Sequence, residues 1–141
     1  MDGLNYAKLM DLFNAQTGIV NNLWNIFIAV SLGVLGFVLK EKELRDNRKI
    51  KLLFSLGFTF FAVGNCRAIS RSQAILVAIS ETLVQAPVTQ DQYRSVFQAY
   101  RVPSVSSIQI GHILFASFVV LAMWLPDIYS GFRKKRESRR H

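Results

Sequence analysis

The stretch IVNNLWNIFIAVSLGVLGFVL, residues 19–39, runs for 21 residues without a charge. A bilayer core about 30 Å thick takes roughly 20 helical residues to cross. Buried helices of water-soluble domains seldom stay apolar all round for so long. We therefore read this stretch as a membrane-spanning helix. Two more stretches follow it. Leu52–Cys66 (LLFSLGFTFFAVGNC) is uncharged, and Ile108–Pro126 is uncharged apart from one histidine. The expected fold is all-α, an integral membrane protein with three transmembrane helices over about 18–39, 50–70 and 107–128. The 141 residues make one membrane domain, with an outer connection over 71–106 and a basic tail over 131–141.

Charge sets the expected orientation. The chain carries 17 Lys and Arg against 9 Asp and Glu. Short loops rich in Lys and Arg stay in the cytoplasm. KEKELRDNRKIK, after the first span, holds Lys40, Lys42, Arg45, Arg48, Lys49 and Lys51. The tail adds Arg133, Lys134, Lys135, Arg136, Arg139 and Arg140. The other side receives Lys8, Arg67, Arg71, Arg94 and Arg101. Twelve basic residues against five fit three spans with the N-terminus outside and the C-terminus inside. The location this implies is a plasma membrane, as in the inner membrane of a bacterium. The first sixteen residues lack a basic n-region, and no small-residue cleavage site follows the first apolar run, so no cleaved signal peptide is expected.

The outer connection is too long for a simple turn. SQAILVAISETLVQA, residues 72–86, contains Glu81 and further polar residues, which argues against a fourth span. Its spacing puts Ile75 or Leu76, Ile79 and Leu83 on one face and Gln73, Ser80, Glu81 and Gln85 largely opposite, as in an amphipathic helix. No breaker separates it from the second span, so the two can form one long helix ending before Pro87. QDQYRSVFQAYR, residues 90–101, reads as a second short helix. SVSS offers capping hydroxyls to the third span. The tail FRKKRESRRH is expected to stay ordered only through its first turn.

Polar residues inside the spans fall at one depth. With the spans antiparallel, Asn21 and Asn25 of the first, Asn65 and Arg67 of the second, and Gln109 and His112 of the third form a layer. It lies within roughly 12 Å of the outer boundary at 1.5 Å of rise per residue. The inner halves carry only Ser and Thr as polar side chains. Two readings of the layer stand side by side. Amides and imidazole in a bilayer join helices by hydrogen bonds, with Arg67 snorkelling to the headgroups. Alternatively, the layer lines a water-filled vestibule open to the outside, since ionisable residues in spans often mark such paths. Small residues make a second pattern: Ala29, Gly33 and Gly36 continue the Asn21–Asn25 stripe, Ser55, Thr59, Ala62 and Cys66 make a similar stripe on the second span, and Gly57 with Gly64 make another. Such faces let helices approach closely.

Enzyme chemistry finds no support. No acid lies within the apolar runs, and Asp127, at the cytoplasmic edge of the third span, stands about 22 Å from His112, so no Ser–His–Asp arrangement is available; there is no glycine-rich phosphate loop either. One cysteine, Cys66, excludes an internal disulfide and makes a poor metal set with His112. No cofactor or metal is expected. The basic tail is expected to meet anionic lipid of the cytoplasmic leaflet, in preference to nucleic acid. In plan the chain is similar to three-span phage holins: a short translocated N-terminus, three helices and a basic tail. Its long outer connection departs from theirs. The expected function is a small homo-oligomeric membrane protein that forms a pore with an outward-facing polar vestibule. The alternative is a non-catalytic accessory or anchor subunit, held by another membrane protein.

Overall fold

The computed structural model describes residues 6–41, 47–85 and 101–137, with side chains described for 7–41, 47–85 and 101–129. Regular structure among them is entirely helical: α1, Tyr6–Lys40; α2, Arg48–Gln85; and α3, Val105–Glu137. All three helices are long and apolar enough to cross a membrane. Their starts follow from local chemistry. The Asn47 side chain accepts from the amides of Lys49 (3.0 Å) and Ile50 (3.4 Å), which caps α2. Ser104 accepts from the Ser107 amide at 3.2 Å and caps α3, so the SVSS run supplies the hydroxyl expected of it.

The second apolar stretch and SQAILVAISETLVQ form one unbroken helix of 38 residues. The third helix departs from expectation at its end. It continues through FRKKRE to Glu137, well past the first turn of the tail. Cations near a helix C-terminus complement the partial negative charge of its free carbonyls. The helix expected over 90–101 lies outside the described residues except for Arg101, as do the side chains of the basic tail.

Packing divides the chain into two units, Met1–Ile26 with Asn65–His112, and Phe27–Gly64 with Ile113–His141. In the first, Phe13, Val20, Leu76 and Leu83 form a core, with Leu9, Met10, Trp24, Ile79 and Val102 against it. One expectation is corrected here. Gln73 and Ser80, placed by sequence opposite the apolar face, are buried on the same stripe as Leu76 and Leu83, while Ile75 is exposed. Positions 73, 76, 80 and 83 recur every three or four residues, the spacing of a narrow helix–helix seam. Gln73 can sit there because its Nε2 donates to the Pro103 carbonyl at 2.7 Å.

In the second unit Phe27, fully buried, meets Phe58 and Phe61 in stacked geometry and Phe115 edge-on. Beside them lies a polar clasp between α2 and α3. Lys51 is fully buried, its ammonium paired with the Asp127 carboxylate and set 5.6 Å from the Trp124 ring centroid. Trp124 in turn donates its indole N–H to Ser55 Oγ at 3.0 Å. A buried ammonium is tolerated only when paired and hydrogen-bonded. Lys51 is therefore part of the packing, although by sequence it counts among the loop cations.

Asp127→Leu should strand the Lys51 charge and lower stability by about 3 kcal/mol, as for other broken buried pairs. The double variant Lys51→Met, Asp127→Leu should recover most of that. Thermal unfolding in detergent measures both, and a double variant no more stable than the single one would contradict the clasp.

Candidate functional site

The polar residues singled out by depth are divided by the structure into two sets. Asn65 and His112 are buried, whereas Asn21, Asn25, Arg67 and Gln109 are exposed. The buried pair joins three helices. Asn65 Nδ2 donates to the Leu23 carbonyl of α1 at 3.3 Å, and Asn65 Oδ1 lies 3.2 Å from His112 Nε2 of α3. Because the amide nitrogen is committed to Leu23, its oxygen must accept, which places the histidine proton on Nε2. The His112 ring packs against Trp24 with centroids 5.6 Å apart. A short residue with one donor end and one acceptor end serves both neighbours. That is why an asparagine on the central helix suits this place.

Further bonds hold the same unit. Gln109 Nε2 donates to Ser70 Oγ at 3.1 Å, linking α3 to α2. Gln16 Nε2 donates to the Ser72 carbonyl at 2.9 Å, linking α1 to α2. Among the described residues, every buried side-chain nitrogen and oxygen has a hydrogen-bond partner. The buried part of the layer is thus fully engaged in joining helices.

Among the described residues the exposed part is engaged only through Gln109. Asn21 and Asn25 are exposed and carry no hydrogen bond among the described residues. Asn14 and Gly18, also exposed, precede them at the same helical spacing. The small residues behave likewise. Ala29, Gly33, Gly36, Gly57 and Gly64 are all exposed, and a Cβ added at any of these four glycines would meet nothing within 4 Å. Among the described residues none of these four glycines is a close-approach point between helices.

Sequence reading found Asn65 and His112 by comparing depths, but it missed the Lys51–Asp127 clasp. A signal was present. Asp127 is the one acid next to the third apolar run, and antiparallel helices bring it level with the start of the second. Among the described residues no group of three or more His, Cys, Asp or Glu side chains is placed to hold a metal ion. In comparison with known proteins, no family model, curated protein or solved structure matches the chain.

The Asn65–His112 bond predicts energetic coupling. In a double-mutant cycle with Asn65→Leu and His112→Leu, the coupling should be about 1 kcal/mol, in the range of interhelical hydrogen bonds in membranes. Additive effects of the two changes would contradict the bond.

Proposed function

We propose that this chain is a small integral membrane protein that works as a homo-oligomer and forms a pore in a bacterial plasma membrane. The N-terminus lies outside and the basic tail in the cytoplasm, as the twelve-to-five distribution of Lys and Arg favours. The observation that carries the proposal is the exposed Asn21–Asn25 face of α1. Hydrocarbon offers an amide no partner, so in a membrane this face requires either protein or water against it. An amide is both donor and acceptor and therefore complements itself. Symmetric copies meeting through α1 satisfy it with no other component.

Three helices of one chain have too little interior to enclose a water path, so conduction requires several copies around an axis. Within such an assembly α1 is the lining helix, with Asn21 and Asn25 at its polar mouth. The exposed Ala29, Gly33 and Gly36 continue along the helix as a narrow apolar stretch, of the kind that closes by dewetting. Asn65 and His112 stay outside the water path, because they are spent on joining helices. The second reading, an accessory or anchor subunit, uses the same face: another membrane protein covers it. Anionic lipid of the cytoplasmic leaflet is the partner of the basic tail in both.

Particle mass in detergent and dye leakage from proteoliposomes test the proposal together. The wild-type protein should be oligomeric, Gly33→Leu should break the assembly or block flux, and Ala29→Ser should wet the constriction and raise leakage several-fold. An oligomer whose membranes stay tight with Ala29→Ser would remove the pore and leave assembly. A monomer, or a particle containing a second protein, would favour the accessory subunit.

A further inference from the structure

The second helix is long enough to cross a bilayer, but its uncharged run is shorter than the hydrocarbon core. Its uncharged run, Leu52–Cys66, is 15 residues, about 22 Å at helical rise, against a hydrocarbon core of about 30 Å. At one end the charge is dealt with inside the protein, where Lys51 is buried against Asp127 and Trp124. At the other end it is not. Arg67 and Arg71 lie one turn apart on one face of α2, and both are exposed where Asn65, Ile69 and Gln73 are buried. No carboxylate among the described residues pairs with either. Like charges at this spacing repel, so an anion between them would relieve both.

We propose that Arg67 and Arg71 form a clamp for the phosphate of a phospholipid headgroup, on the leaflet opposite the basic loop. The Arg67 stem can lie in hydrocarbon while its guanidinium reaches outward, and Arg71 starts about 6 Å further along the helix. Side chains of this length, one turn apart on one exposed face, can both reach a single phosphate at the headgroup level. The planar fork of each donates paired hydrogen bonds that match phosphate oxygens. The exposed face meets lipid, and phosphate is the anion that lipid supplies there. This also accounts for an arginine at the end of an apolar run: it closes the mismatch by drawing the headgroup to the helix.

The clamp rests on the bilayer-spanning reading and is independent of oligomer or pore. Full-length protein can be examined by native mass spectrometry with phosphatidylcholine, phosphatidylglycerol and a monoglucosyl diacylglycerol of matched chains. The wild-type protein should retain both phospholipids over the phosphate-free glucolipid. Arg67→Gln with Arg71→Gln should cut phospholipid retention about tenfold, the effect expected from losing charge-assisted bonds, and leave the glucolipid unchanged. Arg67→Lys with Arg71→Lys keeps both charges, so it guards against failed insertion; it should fall between, because the fork is lost. Equal retention of phosphatidylcholine and glucolipid by the wild-type protein would overturn the clamp. So would a loss confined to phosphatidylglycerol, or one matched by Arg48→Gln with Lys49→Gln at the other end of α2. A wild-type chain washed off membranes by carbonate would instead overturn the spanning reading beneath it.

Discussion

Inside a bilayer a polar side chain has only protein, trapped water or the headgroup region to bond with, and that constraint orders the rest of this structure. Each polar group on a long apolar helix must find one of those three. Asn65 and His112 find each other, with the Leu23 carbonyl as third member. Lys51 finds Asp127 and the Trp124 face. Arg67 and Arg71 are exposed, and the headgroups are the partner proposed for them. The buried seam and the clasp are both protein destinations, and they join the helices.

The central helix shows how this differs from packing in water. Along α2 the buried positions include Lys51, Ser55, Asn65, Gln73 and Ser80, while Leu53 and Phe60 are among its most exposed residues. With lipid as the surrounding medium, apolar surface gains little by leaving it, and the seam is held by hydrogen bonds and close contact. Apolar side chains also cluster within each unit, around Phe27 in one and around Phe13 with Leu76 and Leu83 in the other.

How much of this was legible follows from the same physics. Long uncharged runs reveal spanning helices directly, because length and absence of charge are properties of one segment. Asn65 and His112 were legible as members of a layer, since antiparallel helices convert sequence position into depth. Their bond was not, because depth says nothing of rotation about the helix axis. Rotation was misjudged for Gln73 and Ser80, where the rule of apolar side inward was taken from water-soluble helices. The Lys51–Asp127 clasp was hidden for a related reason: Lys51 adjoins a run of loop cations and reads as one of them. The small-residue stripes were visible in sequence, but whether they meet a helix of the same chain depends on three-dimensional packing. Among the described residues the glycines meet none, whereas Ser55 and Ala62 are buried.

What is left uncovered after all internal bonds are made defines the account's central claim: the Asn21–Asn25 face of α1 is where copies meet. Cross-linking tests it most directly. In a Cys66→Ser background, single cysteines placed at Asn25 and, for comparison, at the exposed Leu114 of α3 would be treated with a short bismaleimide in intact membranes. The account predicts efficient linkage of two copies through position 25 and little through position 114. Equal linkage at the two positions, or linkage at 114 alone, would contradict it.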